Sequence, residues 1–154
     1  MKSNYQFFAR VSLILLAFGI AAGAMGSHLM KKLLEEQDLS TWEIGVKYLL
    51  YQSLGMLIIS LKSRLFNDRL FIGLILLLSG TLVFMSSLLL HSTRALWASS
   101  DFKTMAMFAP IGGVLMILGW LFVGIFCFHS GDEEKSERKK HKHHSRSSGN
   151  SEEQ

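Results

Sequence analysis

The sequence has little of what enzymes and disulfide-rich proteins need: it contains one cysteine, one proline and long stretches without any Asp, Glu, Lys or Arg. A lone cysteine, Cys127, excludes an internal disulfide framework. The charge-free stretches leave no acid–base pair inside a helix, which weighs against a proton-coupled pump or an intramembrane protease. The net charge of +4 lies mostly outside these stretches, so contact with anionic headgroups explains it and nucleic acid is not an expected partner.

Four apolar stretches carry no charged side chain: residues 11–30, 48–61, 70–93 and 104–131. A helix needs about 20 mostly apolar residues to cross the hydrocarbon core, and three stretches reach that length. The remaining stretch extends back to Trp42 if Glu43 and Lys47 reach the headgroups. The sequence therefore predicts an all-α fold, an integral membrane four-helix bundle.

The predicted four-helix transmembrane domain covers residues 1–130, with helices over about 5–34, 41–61, 70–90 and 104–129. Ser40 and Glu43 fit a capping box at the start of the second helix, and the acidic residues 35–38 before it are expected to face water. Pro110 suits the first turn of the fourth helix or a kink within it. The charged, His-rich residues 131–154 cannot bury apolar area and are predicted to be a disordered cytoplasmic tail, with metal binding by its histidines as an alternative.

Orientation follows from the Lys and Arg residues that flank the predicted helices. Eleven lie on the side of the two termini and five on the other side, which places both termini in the cytoplasm. The start of the chain resembles a cleavable signal peptide, with Lys2 and Arg10 as its charged region and Ala22-Gly23-Ala24 as its cleavage site. Because the apolar stretch continues to Met30, a retained first helix is preferred, and the N-terminal sequence of the mature protein would decide.

Mildly polar residues in the helices form a candidate polar face: His28, Gln52, Ser53, Ser79 and Thr81. Gln52 is the most informative, because an amide in hydrocarbon must find a hydrogen-bond partner. An interhelical hydrogen bond is the favoured interpretation, and a polar path for a substrate is the alternative. His28 could pair with His91 at a metal ion, but hydrogen bonding at the membrane interface is favoured. No catalytic residue, cofactor or metal ligand is predicted.

Glycines indicate where helices pack closely, because small residues let backbones approach in lipid. The candidate packing glycines are Gly19, Gly23, Gly26, Gly73, Gly80, Gly112 and Gly119. Packing within the monomer is the favoured interpretation, and dimerisation through one such face is the alternative. Aromatic residues near the helix ends suit an interfacial belt: Trp42, Tyr48, Tyr51 and Trp97. Trp120 is too deep for a belt and is expected to pack against a glycine-lined groove.

Several motifs resemble those of a known family. The sequence of residues 23–28, Gly-Ala-Met-Gly-Ser-His, is similar to the Gly-Ala-Phe-Gly-Ala-His signature of the domain of unknown function 423 family, the YgdD/YwdK-like small inner-membrane proteins. Three further stretches agree with motifs of that family in the same order: residues 42–51, residues 79–82, and residues 110–113 followed by Gly119-Trp120. Where the family usually has a histidine, this chain has Gln52. A glutamine can keep a hydrogen-bonding role, but it cannot titrate. The resemblance implies four helices, a location in the cell inner (plasma) membrane and relatives including transmembrane protein 256.

These observations favour a non-enzymatic multi-pass membrane protein that acts by lateral packing with membrane partners or lipid. The expected partners are the lipid bilayer and either another membrane protein or further copies of the chain. The alternative is a small oligomeric transporter or channel that uses the candidate polar face. Neither the motifs nor the composition names a substrate.

Overall fold

The computed structural model describes residues 2–61, 68–97 and 107–125, which contain four helices and no strand in those ranges. Helix α1 spans Lys2–Met25 and continues through a π-helical turn, Gly26–Met30, into a last turn at Lys31–Leu33. Helix α2 spans Glu36–Leu61 and α3 spans Asp68–Ser92, followed by a 3₁₀ turn at Arg94–Trp97. Helix α4 is described over Ala109–Ile125.

Three of these helices are long and apolar enough to cross a membrane: Tyr5–Leu33, Glu36–Leu61 and Leu70–Ser92. The described part of α4 is shorter, about 26 Å at a rise of about 1.5 Å per residue. The predicted all-α membrane bundle is therefore confirmed as a fold class. The ends of the predicted fourth helix and the predicted tail at 131–154 lie outside the described residues.

The predicted start of the second helix is wrong. Helix α2 begins at Glu36 instead of residue 41, so Ser40 lies inside the helix and does not cap it. The chain enters α2 through Leu34, whose extended backbone separates it from α1. Glu36 and Asp38 then lie in the first helical turn, where carboxylates interact favourably with the helix dipole.

The helices run up and down, because residues from opposite ends of consecutive helices meet in two separate cores. One core joins the start of α1 and α3 to the later parts of α2 and α4: Phe8, Met56, Leu70, Leu74, Leu77 and Val123. We call this the apolar end. The other core joins the last turns of α1 to the first turns of α2: Ala22, Met30, Trp42 and Val46. We call this the polar end, for the contacts described below.

Helices α3 and α4 touch backbone to backbone. A Cβ atom added to Gly112 would lie 2.5 Å from the backbone nitrogen of Phe84, and one added to Gly80 would lie 2.8 Å from that of Met116. A Cβ on Gly119 would lie 2.8 Å from the Leu77 side chain. Small residues at this crossing let the helices approach closely, which is how helices associate in lipid.

Candidate functional site

A polar contact joins the second and fourth helices. The indole nitrogen of Trp120 donates a hydrogen bond to Oε1 of Gln52 at 2.7 Å. The indole can lie there because residue 55 is glycine, where an added Cβ would be 2.6 Å from the Trp120 ring. Trp120 thus packs against a glycine of the neighbouring helix, as the sequence indicated, and Gln52 has a partner on another helix.

A groove opens beside this hydrogen bond, between α2, α3 and α4. Its volume is about 360 Å³, and its lining is almost wholly apolar: Tyr48, Gln52, Phe84, Gly113, Met116, Ile117, Trp120 and Leu121. The rings of Tyr48 and Phe84 meet edge to face, with centroids 5.0 Å apart. Because Tyr48, Ile117 and Leu121 are exposed, the groove faces the surface of the bundle that lipid would cover.

The hydroxyls of the candidate polar face bond to their own helices. Ser53 and Thr81 are buried and donate to the carbonyls of Leu49 and Leu77, each at 2.7 Å. Ser79 donates to the carbonyl of Leu76 at 3.1 Å. A serine or threonine that bonds back to its own helix satisfies its donor without water or a partner helix.

The structure does not bring the five residues of the candidate polar face into one cavity. Gln52 lines the groove beside Trp120, whereas Ser79 lines a separate groove between α1 and α3 at the apolar end. Ser53 and Thr81 are buried between helices and line neither of these grooves, and His28 is exposed on the π-helical turn.

The candidate packing glycines face other helices of the same chain. Gly19 faces Leu50, Gly23 faces Val46 and Gly26 faces Trp42, all on α2. Gly73 faces Val123, and Gly80, Gly112 and Gly119 lie at the α3–α4 crossing. Because neighbouring helices already occupy these positions, a second copy of the chain would have to use other surfaces.

An ion pair that sequence reasoning missed ties α2 to the end of α3. Arg94 donates to the carboxylate of Asp38, which is 6% exposed, and to the carbonyl of His91 at 2.8 Å. The acidic stretch at 35–38 was expected to face water, and for Asp38 this is wrong. The available signal was the placement of opposite charges at the same predicted side of the membrane, beside two consecutive antiparallel helices.

Trp42 also differs from its expected place in an interfacial belt. Its side chain is buried in the core of the polar end, and its indole nitrogen donates to the carbonyl of Ala22 at 3.1 Å. Gly26 makes room for it, since an added Cβ would lie 3.0 Å from the indole nitrogen. The π-helical turn that begins at Gly26 therefore lies against Trp42, and π-helical turns are frequent at functional sites.

Neither His28 nor His91 belongs to a group of three metal-ligating side chains in the described part of the chain. His28 is exposed, and His91 is half-buried with a buried Nδ1 that has no hydrogen-bond partner there. Across residues 2–61, 68–97 and 107–125, no three side chains of His, Cys, Asp or Glu come together as metal ligands would. The distinctive chemistry of the described residues lies in the interhelical contacts and in the groove that Gln52 and Trp120 line.

Fold and contacts together define an all-α membrane protein whose helices are joined by buried polar contacts and glycine crossings. The chain belongs to the family described as protein of unknown function (DUF423), whose sequence profile matches residues 22–113. This confirms the resemblance. The matched region runs from Ala22, the acceptor of the Trp42 hydrogen bond, to Gly113 in the groove.

The similar proteins include membrane proteins from staphylococci. A UPF0382 membrane protein of Staphylococcus epidermidis is 32% identical over 113 residues, covering 69% of this chain and 82% of the relative. One from Staphylococcus haemolyticus is 28% identical over 109 residues, covering 71% and 84%. One from Staphylococcus saprophyticus is 32% identical, covering 71% and 86%. No solved structure matches the chain.

Proposed function

We propose that this chain is a non-enzymatic, multi-pass protein of the cell inner (plasma) membrane that acts by lateral contact with a membrane partner, a further copy of itself, or lipid. The observation that carries the proposal is where its buried polar groups go. Gln52 pairs with Trp120, Asp38 with Arg94, and the hydroxyls of the candidate polar face bond to their own helices.

The contacts of Gln52 with Trp120 and of Asp38 with Arg94 fix the helices relative to one another, which is what a protein that presents a surface requires. In a transporter, polar groups of several helices would instead face a shared cavity. The five residues of the candidate polar face lie apart, so the geometry favours the packing function over the transporter alternative. The relatives are named membrane proteins, and neither their names nor the family description includes a reaction.

We further propose that both termini lie in the cytoplasm. The first turns of α1 and the end of the described part of α4 share the core of the apolar end, so both lie at one end of the bundle. The Lys and Arg bias of the sequence favours that end as the cytoplasmic one.

Lateral contact is tested by photo-crosslinking in intact membranes. The full chain carries a photoreactive residue at Ile14, which is exposed on α1, or at Leu49, which is fully buried and serves as the matched control. The proposal predicts discrete adducts from Ile14 that unlabelled chain or a defined partner competes away, and none from Leu49. Uncrosslinked monomer from Ile14 and from a second exposed site, Ile117, would contradict it.

A further inference from the structure

Gln52 lines the groove beside Trp120, and its amide nitrogen has no hydrogen-bond partner among the described residues. Gln52 must turn its oxygen toward Trp120, because an indole nitrogen can only donate. That orientation fixes the amide nitrogen of Gln52 on the other side of the amide group. In the part of the chain that the structure describes, this nitrogen makes no hydrogen bond, although the side chain is only 8% exposed.

An unpaired amide donor in hydrocarbon is unfavourable, because lipid tails offer no acceptor. Gln52 is one of the residues that line the groove, and the other lining side chains are apolar or aromatic. A molecule that fills this groove is therefore favoured when it is apolar over most of its surface and bears one hydrogen-bond acceptor. The volume of about 360 Å³ is within the range of small-molecule pockets.

We propose that this groove binds a lipid-soluble molecule whose carbonyl oxygen accepts a hydrogen bond from the amide nitrogen of Gln52. The rings of Tyr48, Phe84 and Trp120 form aromatic walls for its apolar body. Gly113 keeps the groove open, since an added Cβ there would meet only the Phe84 ring, at 4.0 Å. Tyr48 and Ile117 line the groove and are exposed, so the molecule can enter it from the bilayer.

Two sources supply such a carbonyl: a ring carbonyl of the quinone class, or the ester carbonyl of a phospholipid. Gln52 lies about 14 Å along α2 from Leu61, close to the middle of a hydrocarbon core that is about 30 Å thick. The ester carbonyl of a phospholipid lies at the edge of that core and would have to move toward the middle of the bilayer to reach Gln52. A ring carbonyl on a wholly apolar molecule reaches this depth freely, so the depth favours the ring carbonyl.

The test uses the full chain in nanodiscs of ether-linked phospholipid, which contain no ester carbonyl. Decylbenzoquinone is titrated while the indole N–H resonance of Trp120 is followed, with Trp120→Phe assigning that resonance. We expect a saturable shift, and about tenfold weaker binding of decylbenzene, which has the same body without the acceptor. Equal binding of the two molecules, or no binding of decylbenzoquinone, would overturn the proposal.

Variants separate the hydrogen bond from the shape of the groove. Gln52→Leu removes the donor and should weaken decylbenzoquinone binding about tenfold. Gln52→His should retain binding, because one ring nitrogen can accept from Trp120 while the other donates. The histidine variant also guards against a Gln52→Leu chain that does not fold. Unchanged affinity in Gln52→Leu, or loss of binding in Gln52→His with the fold intact, would count against the assigned contact.

A matched pair of glycine substitutions tests the location. Gly113→Leu fills the groove and should abolish binding, whereas Gly124→Leu places the same side chain on α4 where nothing lies within 4 Å and should leave binding unchanged. Equal affinities for the two variants would place the ligand elsewhere.

Repeating the titration in ester-linked phospholipid identifies the natural source of the carbonyl. Weaker apparent binding there would assign the groove to a phospholipid ester, and unchanged binding would assign it to a ring carbonyl. Either result retains the carbonyl site. The inference is independent of the lateral contact proposed above, because crosslinking reports assembly and the Trp120 resonance reports occupation of the groove.

Discussion

The two ends of the bundle are held together in different ways. At the apolar end, Phe8 meets Phe71 edge to face at 5.7 Å, within a core of aliphatic side chains. At the polar end, Asp38 pairs with Arg94 and Trp42 donates to the Ala22 carbonyl. One end is therefore joined by packing, which tolerates small changes of shape, and the other by directional contacts that specify particular partners.

The largest loss of stability is expected when the ion pair of the polar end is broken. Arg94→Leu leaves the Asp38 carboxylate buried without a partner, and we expect a loss of about 3 kcal/mol in the free energy of unfolding, measured in bicelles. The double variant Asp38→Leu/Arg94→Leu should recover most of that loss, because no unpaired charge remains. A loss in the double variant that equals the sum of both single losses would show that the pair is not coupled.

Two glycine-to-alanine variants then compare the crossing of α3 and α4 with the apolar end. Gly112→Ala places a methyl group against the backbone of Phe84, which cannot rotate away, and should cost about 2 kcal/mol. Gly73→Ala at the apolar end meets Cγ2 of Val123, a side-chain atom that can shift, and should cost less. Gly23→Ala, with its nearest neighbour at 3.6 Å, is the control and should be neutral or slightly stabilising. Equal losses at Gly112 and Gly73 would remove the distinction.

Trp42→Phe tests the directional contact at the π-helical turn. The variant keeps most of the aromatic packing but loses the hydrogen bond to Ala22, and we expect a loss of about 1 kcal/mol in the free energy of unfolding. Tyr51→Phe, on the exposed side of the same helix, should leave stability unchanged. If the two variants behave alike, the Trp42 hydrogen bond contributes nothing measurable.

The smallest effect is expected at Ser12. Its hydroxyl oxygen is buried and has no hydrogen-bond partner among the described residues. Ser12→Ala removes an unsatisfied polar group, so stability should stay the same or rise by about 1 kcal/mol in a chemical or thermal unfolding titration. Ser53→Ala, which removes a hydroxyl bonded to the Leu49 carbonyl, is the matched control and should be neutral or slightly destabilising. A clear loss in Ser12→Ala alone would indicate a partner for that hydroxyl.

The helices could be predicted because the bilayer imposes a simple rule on the sequence. Long stretches without charge placed the helices, and the two predicted boundaries of α3 differ from the observed Asp68–Ser92 by two residues each. The start of α2 could not be placed in the same way. The capping pattern at Ser40 depends only on neighbouring residues. The extra turn that begins at Glu36 contains Asp38, whose partner Arg94 lies 56 residues further along the chain and cannot be identified from the local sequence.

The contacts of the site were harder to predict than the helices. A tryptophan near the end of an apolar stretch looks the same in the sequence whether it faces lipid or a neighbouring helix, so Trp42 was assigned to the interface. Gln52 was recognised because an amide in hydrocarbon needs a partner, but the identity of that partner depends on which helix lies opposite. Gly55, which admits the Trp120 ring, was not singled out because a lone glycine carries no such signal.

We propose that polar contacts between helices hold this bundle together and that its buried polar groups do not form a path across the membrane. The most direct test of this proposal measures solute and proton flux together with thermal stability, for the wild-type chain and Gln52→Leu in the same reconstituted vesicles. We predict that both chains give the flux of empty vesicles and that the variant unfolds at a lower temperature. Wild-type flux that Gln52→Leu abolishes without any loss of stability would contradict the account.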